Sequence, residues 1–355
     1  MIEEKSESVH LEASRVLTQE TMQFLQKLHC QFEAEINELS RQKPTLTLEE
    51  KRGFLSESEN VREAPWTVSP VRADLQDRRI IIKQSAEDRD NLLSSYQGGA
   101  SLLTCDFDEY LSLDKRMVAQ ENVKELIQRT NQVVHYPTAI MMIPRKWDAM
   151  EEHYRINGKR ISAGLFDFGL YVFHNAQALQ KNRSAPYVYL KGIGSYKEAR
   201  LWNHIFTFTE NELNLLNGTI KASILIESEN SIYQSEEMLY ELKQHSAGLH
   251  VLSTLDAASA HYAIYIAHKR LAHVIYEQSS ESSFYDGGLN SGEQFETGTQ
   301  KAVEGFDGTC VTDSNLIGMM RAIWNHYMPE PNQIWKKRQG GSLEANRSCK
   351  VNRDC

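Results

Sequence analysis

Acidic side chains at the ends of apolar runs are the first residues in this sequence that could do chemistry. Glu227 closes the run 220–226, and Asp106 closes the run 100–105, with Asp108 two positions further on. Runs of this length read as strands, and an i, i+2 pair at a strand end puts both carboxylates on one face. Such groups are hard oxygen ligands for a divalent cation, while the plainer reading is a solvated strand end. His174, His245 and His268 have separations that fit no HExxH-type ligand set, so satisfied structural histidines are expected. Cys30, Cys105, Cys310, Cys349 and Cys355 are too few and too scattered for a disulfide scaffold or a CxxC metal knuckle, which predicts free thiols.

The elements that must position these groups alternate along the chain. Short apolar runs at 100–107, 138–143, 163–171, 187–191, 220–227, 249–253 and 273–276 read as strands, with helical patterns such as 196–208 and 236–245 between them. That alternation implies a mostly parallel sheet whose functional residues sit at the carboxyl ends of its strands. Residues 18–40 read as an amphipathic helix through Met22, Leu25, Leu28, Phe32, Ile36 and Leu39, and 53–79 as an irregular docking segment. The Ser-, Gly- and Glu-rich stretch 279–306 reads as a long surface loop, 315–326 as a final helix, and 336–355 as a disordered tail. Hydrophobic residues make up 41% and charged residues 25%, which supports a packed core. The formal charge of -9 argues against a general nucleic-acid binder, and no window approaches the ~18 apolar residues of a membrane span. Residues 1–10 are acidic where a secretory signal would be basic and then apolar, so an intracellular, cytoplasmic protein is expected.

Several strings, in order, are similar to malate synthase of the shorter A-type. They are Leu165-Phe166-Asp167-Phe168-Gly169-Leu170-Tyr171, Glu198-Ala199-Arg200-Leu201-Trp202-Asn203, Gly218-Thr219-Ile220-Lys221-Ala222, Ile224-Leu225-Ile226-Glu227-Ser228 and His245-Ser246-Ala247-Gly248-Leu249. Shorter matches are Val61-Arg62-Glu63 with Trp66, Asp77-Arg78-Arg79, Asp307-Gly308-Thr309 and Pro331-Asn332-Gln333-Ile334. The resemblance implies a TIM-type (β/α)8 barrel with an N-terminal helical clasp, which divides the chain into a clasp and docking segment at 1–90, a barrel at 91–335 and the tail. It also implies acetyl-CoA and glyoxylate as substrates and Mg²⁺ as the metal. In that chemistry a carboxylate base removes a proton from the acetyl methyl, while the metal and an Arg polarise the glyoxylate aldehyde. Glu227 falls on a metal-ligating Glu of the family, and Asp106 and Asp108 fall on the Asp and Glu of its Ala-Asp-Phe-Glu-Asp.

The departures from the family pattern set the functional expectation. The family's Arg-Pro-Arg-Gly-Trp is here Ile143-Pro144-Arg145-Lys146-Trp147, so the active-site Arg is replaced by Ile and Arg145 is the residual candidate for its role. Pro-Lys-Met-Glu-Ser becomes Lys191-Gly192-Ile193-Gly194-Ser195, and Gly-Gly-Met becomes Tyr276-Glu277-Gln278. The family's Ser-Ala-Gly-Leu-Asn continues to an Arg-Trp-Asp-Tyr carrying the second metal carboxylate, whereas Leu249 is followed by His250-Val251-Leu252-Ser253-Thr254. A deletion of about thirty residues near 250–256 is expected, leaving an incomplete barrel of about seven strands. The family's catalytic Asp belongs to a C-terminal helical plug that the chain is expected to lack, and its last residues carry no peroxisomal Ser-Lys-Leu signal. The expectation is a truncated, catalytically impaired member with a weakened or lost Mg²⁺ site. The alternatives are a non-catalytic protein that binds CoA, a metabolite or a partner, and the product of a decayed or shortened gene.

Overall fold

Aliphatic runs flanked by polar residues form the strands, and a computed structural model of the 355-residue chain describes residues 15–42, 53–107, 112–130, 138–279 and 291–337. The helix α1 (Gln19–Gln42) leads through a short helix α2 (Glu59–Glu63) to the first barrel strand, β1 (Ile80–Ser85). Then follow α3 (Arg89–Gln97), β2 (Leu102–Asp106), α4 (Leu113–Thr130), β3 (Ala139–Ile143) and the hairpin strands β4 (Met150–Ile156) and β5 (Lys159–Ser162). The chain continues as α5 (Ala163–Lys181), β6 (Tyr187–Leu190), α6 (Tyr196–Glu212), β7 (Lys221–Ile226), α7 (Glu229–Tyr233), α8 (Ser235–Glu241) and β8 (Ser246–Leu252). It ends with α9 (Ala257–Lys269), β9 (Val274–Glu277), α10 (Ser291–Glu304), β10 (Gly308–Val311) and α11 (Ile317–Tyr327).

The strands close a barrel in the order β1-β10-β9-β8-β7-β6-β3-β2, and β4 and β5 pair separately as an antiparallel hairpin. Eight strands close it, not about seven, because the sequence conceals two of them. β1 lies within the segment expected to be a docking region, and β10 is four residues long and begins with glycine. The turn from β8 through α9 into β9 is a complete strand–helix–strand unit, so no strand is missing after residue 250. The apolar run 163–171 is not a strand but the first half of α5. Ser162 caps that helix by accepting from the Leu165 N–H, and 13 of its residues are buried, which erases the polar face by which a helix is usually recognised. Part of the expected loop 279–306 is the helix α10, which packs on α11 at Gly298, a residue too small to register in an apolar period.

Two compact units divide the chain: Met1–Thr45 with Ile82–Gly192 and Leu201–Ala222, and Leu46–Ile81 with Ile193–Arg200 and Ser223–Cys355. In the first, α1 lies against α5 at Gly169, where a Cβ would stand 2.7 Å from the Leu25 side chain, and Phe24 packs on Phe173 at 5.4 Å. In the second, Arg270 fastens the segment around α2. Its guanidinium donates to the carbonyl oxygens of Val61, Arg62, Ala64 and Trp66 at 2.8–3.1 Å, lies 4.1 Å from the Trp66 ring, and pairs with the buried Glu236. No helix of the described residues is long and apolar enough to cross a membrane.

The amino end of β9 carries a buried polar cluster. Asp307 accepts from the Val274 and Gln333 N–H groups at 2.8 and 2.7 Å and faces His268 at 3.6 Å. His273 donates from Nε2 to the Gln76 carbonyl at 3.2 Å. Burial, with the charge of Arg78 added, pulls the His273 imidazole from its ordinary 6.5 to about 3, against the opposing pull of Asp307 and the Gln76 carbonyl. Above pH 6.5 neither folded nor unfolded chain holds this proton, and the full stability is present. Between 6.5 and 3 only the unfolded chain binds it, so stability falls as pH falls, by about 2 kcal/mol between pH 7 and 5. Urea unfolding across that range should show the loss, and His273→Asn, which retains a donor for Gln76, should remove that much of the slope; an unchanged slope would assign the acid sensitivity elsewhere.

Candidate functional site

Strand carboxyl ends carry the expected acidic residues, and β2 and β7 deliver one each. Asp106 is the last residue of β2 and Glu227 is exposed one residue beyond β7; Asp108 lies outside the described residues. The face that Asp106 occupies follows from its neighbour. Cys105 lies fully buried close to Tyr171 of α5, on the helix side of the sheet, and its thiol is pushed up to about 12 by burial and then by Asp106. Alternation along β2 therefore turns Asp106 to the inner face. There it meets two lysines that the sequence pattern did not single out for chemistry. Lys191 Nζ, one residue past β6, donates to Asp106 Oδ1 at 3.1 Å, and Lys83 Nζ of β1 stands 3.6 Å from Oδ2.

Arg145 has a different environment. Two residues beyond β3, it is buried with Arg116 of α4, Glu151 of β4 and Asp167 of α5. Its Nε and Nη2 donate to the two Asp167 oxygens at 2.8 Å each, Nη2 also donates to Glu151 at 2.7 Å, and its backbone N–H reaches Asp167 at 3.1 Å. Arg116 completes the set at 2.8 Å from Glu151, so two guanidinium groups balance two carboxylates. Burial pushes the Glu151 carboxyl up, but the His153 N–H and the two arginines outweigh it and hold the pKa below the ordinary carboxylate value. Gly164 belongs to the same junction: a Cβ there would stand 2.7 Å from the Arg145 carbonyl oxygen. Ile143, the residue in the family's Arg position, ends β3 opposite Asp106 and is buried.

A second acidic group that sequence reasoning did not single out lies at the end of β9. Tyr276 packs on Phe306 at 5.6 Å with Lys301 of α10 over its ring, so Glu277 turns to the inner face, where it accepts from His250 Nδ1 of β8 at 3.2 Å. Both are buried. The only sequence signal for this pair was its departure from the family strings at both positions. Among the described residues no group of three or more His, Cys, Asp or Glu is arranged to hold a metal ion. Glu227 is a chemically suitable oxygen donor for a divalent cation.

The family model for the malate synthase TIM barrel domain matches residues 139–275. The chain is 32% identical to malate synthase of Myxococcus xanthus over 93% of its own length and 70% of that protein's. It is 28% identical to malate synthase of Dictyostelium discoideum, covering 90% and 68% of the two chains, and 32% identical to malate synthase A of Escherichia coli, covering 66% and 47%.

The Arg145 geometry makes a stability prediction. Asp167→Asn would leave a buried guanidinium short of its counter-charge and should lower the unfolding free energy by about 3–5 kcal/mol in urea titration. Glu125→Gln, which removes the exposed partner of Arg89 and Arg129, should do far less. Equal effects from the two substitutions would contradict the assignment of the Arg145 cluster as structural.

Proposed function

This chain belongs to the malate synthase family, and we propose that it is a catalytically impaired member whose barrel retains a site for small acids. What carries the reading is the state of Arg145. The condensation of acetyl-CoA with glyoxylate builds negative charge on the aldehyde oxygen, and a preorganised cation beside that oxygen lowers the barrier. Ile143 offers no donor in the position where the family pattern has Arg. Arg145, the nearest cation along the chain, has its guanidinium taken up by Asp167 and Glu151, and turning it toward a substrate would strand two buried carboxylates.

Loss of one oxyanion donor typically costs about 10²–10³ in rate, and losses of groups that act together are not additive. Because the carboxylates among the described residues do not make up the family's metal site, no step is assigned to Mg²⁺. Asp106 and Glu227 are assigned to ligand contact at the carboxyl ends of their strands, and Arg145 to holding the β3 end in place.

The deciding measurement is thiol release from acetyl-CoA by the purified protein, with glyoxylate and Mg²⁺ present and each omitted in turn, beside an intact relative. Release dependent on both should be at least about 100-fold slower than the relative's. Release at a comparable rate would overturn the impaired reading and require another cation to replace the lost Arg.

A further inference from the structure

The stretch 67–71, on the way from α2 to β1, is tied by its backbone to the amino ends of β8 and β9. The Val68 N–H donates to the Arg270 carbonyl at 2.9 Å and the Ser69 N–H to the Lys243 carbonyl at 2.7 Å. Between this stretch, the start of β8 and the residues leading into β9 lies a cavity of about 160 Å³, with Val68, Pro70, Val71, Ala247, Ala272 and Ile334 among its walls. Four polar side chains on the walls bond within the protein. Ser69 Oγ donates to Gln244 at 2.6 Å, and Ser246 Oγ accepts from the Gly248 N–H at 3.0 Å. Gln76 Nε2 donates to the Val71 carbonyl at 3.0 Å, and His273 donates to the Gln76 carbonyl at 3.2 Å.

None of the residues lining the cavity is Lys, Arg, Asp or Glu, and His273, drawn down to about 3 by burial, is neutral at physiological pH. An ion entering this space would give up its hydration without meeting a counter-charge, so the lining selects an uncharged occupant. A cavity of about 150 Å³ with apolar walls holds one benzene-sized molecule. Leu271, at the edge of the cavity, is out of keeping with its backbone. It follows the end of α9 with φ at 56°, where the Leu271 and Ala272 N–H groups close on the His268 and Ala267 carbonyls. Glycine is the usual residue at this helix-terminating position, because a side chain strains the left-handed conformation. Leu271 is also 46% exposed, so it gains little from burial. What leucine offers there and glycine does not is an apolar surface for a molecule seated in the cavity.

We propose that the cavity between residues 67–71 and the starts of β8 and β9 is a binding site for a small uncharged apolar molecule, about the size of one benzene ring, with Leu271 as its rim contact. The molecule packs on Val68, Ile334 and Leu271 and braces the stretch 67–71 against the barrel. Glu227 and Glu277 stand at the carboxyl ends of their strands, whereas this site lies at the amino ends, so it is independent of any condensation chemistry.

Benzene is the probe, titrated calorimetrically into the full chain, with benzoate as the charged control of similar size. The wild-type protein should bind benzene at millimolar concentration and should not bind benzoate. Leu271→Gly should weaken benzene binding roughly tenfold through lost apolar contact, while the free variant unfolds at or above the wild-type temperature because the backbone strain is relieved. Ala247→Leu, which fills the cavity, should abolish binding; should that variant fail to fold, Leu271→Gly decides alone. Failure of the folded wild type to bind benzene overturns the proposal, as does equal binding of benzoate. Unchanged benzene affinity in Leu271→Gly, whatever its unfolding temperature, overturns it too. Acetyl-CoA and glyoxylate take no part, so the thiol-release assay and this titration fail separately.

Discussion

A guanidinium taken out of water has to be neutralised where it sits, and around Arg145 that requirement ties four elements together. The end of β3, the helices α4 and α5 and the β4–β5 hairpin each contribute one charged residue, and removing any one leaves an uncompensated charge. The junction has little slack, since Gly164 sits where any Cβ would strike the Arg145 carbonyl. A residue held this tightly stabilises a strand end well and is unsuited to chemistry that needs it to turn toward a substrate. The buried balance of charge that secures the β3 end therefore holds Arg145 against Asp167 and Glu151.

Most of the barrel was legible because its strands announce themselves. The apolar runs at 100–107, 138–143, 187–191, 220–227, 249–253 and 273–276 all overlap strands of the barrel, and the family strings indicated its type. The errors share a physical origin. Sequence patterns report a contrast between apolar and polar faces, and a helix segment enclosed on all sides, as the first half of α5 is, shows none. β1 carries three consecutive isoleucines, yet it follows directly on an irregular segment and was absorbed into it. α10 meets its partner helix at Gly298 and so resembles a loop.

The site was legible in part. Asp106 and Glu227 stand at strand ends, as their positions implied. Lys83 and Lys191 could not be connected from sequence, because they lie 108 residues apart and are joined only by strand order. The partners of Arg145 were equally hidden: Glu151 is six residues away on a hairpin, and Asp167 is 22 residues away in a run that reads as a strand.

The anchoring of the α2 segment by Arg270 has a consequence for the order of events during synthesis. The carbonyl groups at 61–66 are bound by a side chain 204 to 209 positions later. At a translation rate of about 5–20 residues per second, that segment emerges some 10–40 seconds before its anchor exists. Through most of that interval the partners of Trp66 and its neighbours, Glu237, Tyr240 and Arg270, have not yet been made, while the early strands and helices can already collapse locally. The α2 segment is thus among the last parts of the fold to lock, and a ribosome-bound chain shorter than 270 residues would present it to proteases and chaperones.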